Sequence, residues 1–337
     1  MLSVASAGAQ DCVGDCDGDR KVSVAELILG VAISLGEKAT SACLPFDRNT
    51  DNHVNIDELV TSVSFALNGC PWPRRGTFDI SISSGGLERR VLVTVPESLD
   101  PEVPAPLVLN FHGVTATSET IQAVTRMPEK AQAEGFITAA PQGVDRSWNA
   151  GLCCGTAQAR NVDDVGLTRD LIAALQAEFN IDESRVYATG FSNGGAMVYR
   201  LACEAPDLFA AVAPVGGALA AYPCAPSAAI PLLIINGVAD PIVNFRLATV
   251  SFEIWRGLNA CVGDPSPSNP ADNAACEAYE CANGPTALCA VSGISHVWPG
   301  GLTDPSGAFD ATDAVWEFFR NHQRPGLAFP QTPIDPA

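Results

Sequence analysis

Gly190-Phe191-Ser192-Asn193-Gly194 is a G-x-S-x-G run. Between a strand and a helix, such a run forms a sharp turn that pushes the serine hydroxyl toward a substrate. An alcohol is a weak nucleophile at neutral pH unless a base takes its proton. The chain has four histidines. His53 lies in an acidic loop, His112 at a strand end and His322 near a proline-rich tail, which leaves His296, in GISHVWPGG, as the base. Asp240 ends the apolar run PLLIINGVAD and lies between Ser192 and His296 in the chain. Asp264 and Asp272 are rivals, but they sit in a Pro/Ser/Asn-rich stretch with no strand before it. The chain order Ser, Asp, His is one that a serine nucleophile and its partners take, and the acid would hold the imidazole tautomer and stabilise the imidazolium. The chemistry is acyl transfer through a covalent serine ester, with no catalytic cofactor.

Acyl transfer also needs backbone N–H donors aimed at the developing oxyanion. Asn193, directly after the nucleophile, supplies one, and Val114, after the His112-Gly113 turn, supplies the other. His112 is placed on the substrate side, where it shapes that loop. Trp148 and Trp298 flank the expected site and are read as substrate contacts, stacking on an acyl group or lying along a polymer chain. The other reading of both is partly buried packing.

Near the N-terminus, oxygen-bearing side chains alternate twice. The first loop holds Asp15, Asp17, Asp19 and Ser23, with Lys21 at the seventh place and Glu26 at the twelfth. The second holds Asp47, Asn49, Asp51 and Asn55, with His53 at the seventh place and Glu58 at the twelfth. This is EF-hand spacing: alternate oxygens on a tight loop, a backbone carbonyl at the seventh place and a bidentate glutamate at the twelfth suit Ca2+. Arg20 and Asn52 replace the usual sixth-place glycine, and Asn tolerates a left-handed backbone better than Arg. One apolar helix follows each loop, a layout that resembles dockerin modules. The resemblance implies a small all-α calcium module with two structural Ca2+ sites and a cohesin-like scaffold as partner. Val24-Ala25 and Ile56-Asp57 stand where dockerins carry polar recognition residues, which weighs against that partner. Cys12, Cys16, Cys43 and Cys70 staple the module, in one of three pairings.

The chain has 337 residues, a net charge of −19 and a pI near 4.4. So acidic a surface repels phosphate backbones, which excludes nucleic acid as a partner. No run of 18 apolar residues is present, so no membrane-spanning helix is expected. Twelve cysteines without zinc-type spacing point to disulfides in an oxidising, extracellular setting. Residues 1–10 read as a signal-peptide remnant, 11–70 as the calcium module, 71–76 as a linker, 77–322 as the catalytic domain and 323–337 as a Pro-rich tail.

The catalytic stretch alternates apolar strands and amphipathic helices. Strands are predicted at 88–96, 105–113, 136–143, 184–190, 210–217 and 231–240, and helices at 119–134, 163–180, 194–206 and 310–322. That alternation predicts an α/β fold with a mostly parallel sheet covered on both faces. Cys261, Cys276, Cys281 and Cys289 precede His296. A Cys281–Cys289 bridge would close a hairpin turning at Asn283-Gly284, and such bridges would fix the His296 loop. The pairing of Cys153, Cys154, Cys203 and Cys224 stays open.

FHG, SWNAGLCCG, NVDDVGLTRDLI, VYATGFSNGGAMVYRLACEAPDLFAAVAPVGG, NGVADPIV and SHVWPGG occur in that order. Together they resemble the polyhydroxybutyrate depolymerase-like esterases, a family that includes feruloyl and acetylxylan esterases. One departure is GISH where many relatives have GGGH, so that Ile294 and Ser295 would narrow the site. The resemblance implies an α/β-hydrolase fold and secreted serine ester hydrolysis, most directly of feruloyl or acetyl esters on plant polysaccharides. Polyester depolymerisation is the alternative, peptidase or acyltransferase chemistry on the same fold is a third reading, and a calcium-dependent extracellular scaffold protein is the alternative of another class.

Overall fold

The computed structural model describes residues 12–18, 21–70, 74–100, 102–228, 230–304 and 306–324. The proposed signal remnant, Asp19, Arg20, the first half of the linker and most of the tail lie outside these residues. The chain divides into two compact units, Met1–Arg74 and Arg75–Ala337.

In the first unit, helices α1 (Val24–Ser34) and α2 (Ile56–Asn68) start at the ends of the two acidic loops. Each start is a capping box: Ser23 and Asn55 cap the helix, while Glu26 and Glu58 reach back to the cap backbone. The twelfth-place glutamate of each loop therefore also begins the helix. Val13, Ile33, Cys43, Phe46 and Val54 form the core. Gly30 is required here, because a Cβ on it would strike the Phe46 ring. Disulfides join Cys12 to Cys70 and Cys16 to Cys43. Val24, Ile28, Val31 and Leu35 are exposed, as are their repeat partners Ile56, Val60, Val63 and Leu67.

The second unit is built on one ten-stranded sheet. Its strands are β1 (Gly76–Ser84), β2 (Leu87–Val95), β3 (Ala105–Phe111), β4 (Ile137–Pro141), β5 (Ile181–Phe191), β6 (Ala211–Val215), β7 (Leu232–Gly237), β8 (Ser266–Ala271), β9 (Ala274–Tyr279) and β10 (Thr286–Val291). The order across the sheet is β1-β2-β4-β3-β5-β6-β7-β10-β9-β8. The run from β4 to β10 is parallel, and the flanking pairs are antiparallel. The helices are α3 (Ser118–Thr125), α4 (Met127–Glu134), the short α5 (Gly155–Ala159), α6 (Asp164–Glu178), α7 (Asn193–Glu204), α8 (Phe245–Leu258) and α9 (Ala311–Arg320). Side chains of α6, α7 and α8 join the core cluster on one sheet face, and those of α4 and α9 the cluster on the other. Both faces are covered, so the central strands are mostly apolar and wholly buried: all seven residues of β3 are buried, Asn110 included.

Three expectations need correction. The helix expected over 119–134 is two helices, broken at Arg126, whose φ is 52°; Pro128 cannot donate back into α3 and instead opens α4. The Pro/Ser/Asn-rich stretch around Asp264 and Asp272, where no strand was expected, contains β8, the first strand of the β8–β9–β10 meander, and α8 stands before it. The two prolines of β8 are tolerated because it is an edge strand. The hairpin of β9 and β10 does turn through Asn283-Gly284, but Cys289 bridges Cys276, its directly paired neighbour, and Cys281 bridges Cys261. Cys203 joins Cys224, and Cys153 joins Cys154.

Candidate active site

Ser192 sits between β5 and α7 with φ 56° and ψ −116°, a left-handed backbone that non-glycine residues seldom adopt. The turn is tight enough that a Cβ on Gly194 would collide with the carbonyls of Phe111 and His112. The glycine lets α7 start directly against the end of β3. The Ser192 N–H donates to Val215 O at 3.0 Å, tying the elbow to β6.

Asp240 follows β7 and His296 follows β10, which run parallel and adjacent. A side chain on Gly237 would meet the Ile294 and Ser295 carbonyls, so the glycine admits the His296 loop. The Ser192 hydroxyl lies 2.9 Å from His296 Nε2, and His296 Nδ1 lies 2.7 Å from Asp240 Oδ2. The second oxygen, Asp240 Oδ1, accepts the N–H groups of Ile242 and Val243 at 2.8 and 2.9 Å. Asp240 is buried. A buried, fully hydrogen-bonded carboxylate fixes the imidazole with Nδ1 protonated and Nε2 free to take the serine proton. The Phe191 ring packs 4.7 Å from the imidazole, centroid to centroid.

Asn193 lies at the N-terminus of α7. Its side chain brackets Trp148: Oδ1 accepts the Trp148 N–H at 2.8 Å, and Nδ2 donates to Trp148 O at 3.1 Å. A Cβ on Gly113 would stand 3.4 Å from Ser192 Cβ, so the chain leading into Val114 passes beside Ser192.

His112 is fully buried. Its Nε2 accepts from Gly143 N–H at 2.9 Å, which leaves Nδ1–H to donate to Gly113 O at 2.8 Å. Burial pushes its pKa down to about 4, assisted by the Arg89 charge and opposed by the Gly113 hydrogen bond. His112 is thus a neutral brace for the Gly113 turn and makes no surface for substrate. Trp148 and Trp298 are fully buried, and their indole N–H groups are spent on His112 O and Thr312 Oγ1. Both indoles are packing, which corrects the expectation of substrate contacts. Ile294 is also buried; its side chain packs in the core rather than narrowing the site.

The sequence reading gave no role to the polar residues behind Trp148. Arg89 Nη2 lies 3.0 Å from Asp164 Oδ1, and both side chains are buried. Asp164 Oδ2 accepts the Asn149 N–H at 2.8 Å. Burial raises the Asp164 pKa, although the Asn149 N–H and Arg89 pull it down. Asn149 and Asp164 stand in SWNAG and NVDDVG, runs noticed only as marks of resemblance. The depth of a charged residue is not written in its neighbours.

In the first unit, side-chain oxygens of Asp15, Asp17 and Glu26 lie within 4.8 Å of one another. Glu26 takes N–H bonds from Cys16 and Ser23, both at 2.7 Å; burial opposes its ionisation, but these bonds hold its pKa below the ordinary value. In the second loop the Asp51 N–H donates to both Asp47 Oδ1 and Asn49 Oδ1, at 3.0 Å each. Glu58 binds the N–H groups of Arg48 and Asn55. Asn52 at the sixth place has φ 63°, the conformation the missing glycine would have taken. Among the described residues, the carboxylates of the first loop converge within the reach of one ion, while in the second loop the side-chain oxygens of Asp47, Asn49 and Asp51 are taken by backbone N–H groups of the same loop.

The family model "Putative esterase" matches residues 82–228. Feruloyl esterase B of Piromyces equi is 30% identical over 234 residues, 62% of this chain and 42% of that protein. The chain thus spans less than half the length of that relative. "Probable feruloyl esterase C" of Aspergillus terreus is 27% identical, over 79% of this chain and 95% of that protein. Among solved structures, the acetyl xylan esterase from Aspergillus awamori superposes with a TM-score of 0.57 at 15% identity, covering 72% of this chain and 99% of that one. At that identity the likeness bears on the fold alone, an α/β-hydrolase.

Proposed function

We propose that the chain is a serine carboxylic-ester hydrolase acting on feruloyl or acetyl esters of plant polysaccharides. The observation that carries this is the hydrogen-bonded line from Ser192 through His296 to Asp240, in a chain whose sequence relatives carry feruloyl esterase names. Ser192 Oγ attacks the ester carbonyl carbon as His296 Nε2 takes the hydroxyl proton. The N–H groups of Asn193 and Val114 hold the oxyanion. The C–O bond to the alcohol then breaks, the alcohol leaves with the proton from His296, and a serine ester remains. Water, deprotonated by His296, attacks that ester and releases the acid and free Ser192.

Val114, next to Gly113, and Val238 and Ile242, on either side of Asp240 in the chain, expose apolar side chains; apolar surface there would favour a hydroxycinnamoyl acyl group over acetyl. The test is hydrolysis of methyl ferulate beside p-nitrophenyl acetate, with Ser192→Ala as control. Turnover of both, lost in the variant, supports the reading. Turnover of neither by folded protein defeats it, and clearing of polyester films with no action on methyl ferulate moves the substrate to polyesters.

Each acidic loop is assigned one structural Ca2+, held by Asp15, Asp17, Asp19, Ser23 and Glu26 with the Lys21 carbonyl, and by Asp47, Asn49, Asp51, Asn55 and Glu58 with the His53 carbonyl. Bound there, Ca2+ would neutralise the carboxylates that Asp15, Asp17 and Glu26 bring together. Calcium in 100-fold excess over its Kd should stabilise this unit by about 3 kcal/mol for each site filled. Calorimetry with and without a chelator checks this; an unchanged transition rejects the assignment. Six disulfides among the described residues favour an extracellular location. Among the described residues no helix is long and apolar enough to cross a membrane. The repeated apolar stripes on α1 and α2 leave a scaffold partner open to this unit, and pull-down with a cohesin domain tests it.

A further inference from the structure

A buried ion pair is seldom there for stability, since an apolar pair of similar volume often serves as well. Arg89 and Asp164 form such a pair, and the rest of their hydrogen bonds lead toward Ser192 along two routes. On one, Asp164 Oδ2 accepts the Asn149 N–H. The preceding residue, Trp148, is gripped at both backbone polar groups by the Asn193 side chain. Asn149 O accepts from Arg200 Nη1 at 2.5 Å, so the Trp148-Asn149 segment is held on every side. On the other route, Arg89 donates to Gln142 O at 3.1 Å. The Gln142 side chain meets His112 Nε2 at 3.1 Å and receives the Ser118 N–H at 3.0 Å. His112 in turn holds Gly113 O. The routes converge again where Trp148 Nε1 donates to His112 O at 2.9 Å.

We propose that Asp164, with Arg89, is a positioning pair that sets both backbone donors of the oxyanion pocket, through Trp148 to Asn193 and through Gln142 and His112 to the Gly113-Val114 turn. The inference rests on the esterase reading of Ser192. The pair touches no reacting atom, as both side chains are closed off from solvent. Its two ends reach the two sides of one pocket, so a change at the pair moves the donors relative to each other. A misplacement of about 1 Å costs on the order of 100-fold in rate.

The test is Asp164→Asn in the full chain. An amide fills the same volume, but its NH2 must face either the Arg89 guanidinium or the Asn149 N–H, donor against donor. Two rates are read at a temperature where the variant is folded: kcat on p-nitrophenyl acetate, and labelling of Ser192 by a fluorophosphonate. In the labelling the Oγ–P bond forms, P–F breaks, fluoride leaves, and the serine proton passes to His296 while the phosphonyl oxygen enters the oxyanion pocket. Both rates should fall by about 10- to 100-fold, with KM moving less than about threefold. The double variant Arg89→Met/Asp164→Leu removes both charges and decides the matter if the single variant does not fold. It should recover the melting temperature without recovering either rate. Wild-type rates in folded Asp164→Asn, or recovery of both rates by the double variant, would overturn the inference. Labelling of wild type without hydrolysis of any ester defeats the esterase reading instead, and the relative labelling rates still decide the role of Asp164.

Discussion

In the Arg75–Ala337 unit, two apolar layers close over both faces of a ten-stranded sheet, and Trp148, Trp255, Trp298 and Tyr199 are wholly buried. In the Met1–Arg74 unit the core is Phe46 and a few small neighbours. There, two disulfides and two glutamates that cap helices do much of what packing does in the larger unit. A unit this small buries too little apolar surface to hold itself by packing alone. The large core makes a stage on which strained and polar groups can be kept: a left-handed serine, a buried ion pair, a neutral histidine. In the small unit the acidic side chains that are buried among the described residues, Asp15, Glu26 and Glu58, belong to the two acidic loops and the helix starts that follow them.

The sharpest separation of the units comes from Ser192→Ala. We expect kcat to fall by on the order of 10⁴-fold or more, with both melting transitions unchanged. Steady-state kinetics with calorimetry reads this. A loss of less than about tenfold would mean that the hydroxyl is not the nucleophile.

Phe46→Ala strikes the other unit. Removing a fully buried phenylalanine costs about 3–5 kcal/mol, much of what a core this size supplies. Hydrogen exchange should show α1 and α2 losing protection while ester turnover stays within about twofold, because Ser192, Asp240 and His296 all lie in the other unit. A parallel fall in turnover would break the comparison.

Acid should find the weak point of the large unit at His112. Its folded pKa is about 4, below the ordinary histidine value of about 6.5. Below pH 6.5 the unfolded chain takes a proton that the folded chain refuses. Stability is therefore complete above that pH and is lost as pH falls toward 4, by about 3 kcal/mol in all. The Arg89 charge adds to the refusal, and Glu119 opposes it. Urea titrations between pH 7 and 4 should show the loss in wild type and a smaller one in His112→Asn. Equal slopes for the two proteins would remove His112 as the cause.

How much of this was legible in the sequence depended on whether a feature is local. The elbow at Ser192, the strand ending at Asp240 and the loop of His296 are each written in a few adjacent residues, and the sheet brings them within hydrogen-bonding distance. The twofold acidic pattern is equally local. The α8 helix was there to be read: Ala248, Ser251, Phe252 and Trp255 are its buried face at helical spacing, masked by the polar stretch that follows. The Arg89–Asp164 pair joins residues far apart in the chain, and the disulfide partners in the meander follow from strand register rather than from cysteine spacing. Burial of the tryptophans was the other failure, since an indole beside a catalytic motif reads the same whether it faces substrate or core.

Trp298 gives the smallest and most discriminating test of that last point. Its indole is buried, and the N–H donates to Thr312 Oγ1 at 3.0 Å. The Thr312 hydroxyl passes the chain on to Thr125 O at 2.6 Å, joining the His296 loop, α9 and the end of α3. Trp298→Phe keeps most of the apolar volume and removes one donor. It should cost about 1–2 kcal/mol, read as a lower melting temperature of the larger unit. KM for methyl ferulate should not change, because the ring contributes no surface to the substrate. If KM rose severalfold while the melting temperature held, the indole would have to turn outward in the working enzyme. The large unit would then be less fixed around its site than its buried layers imply.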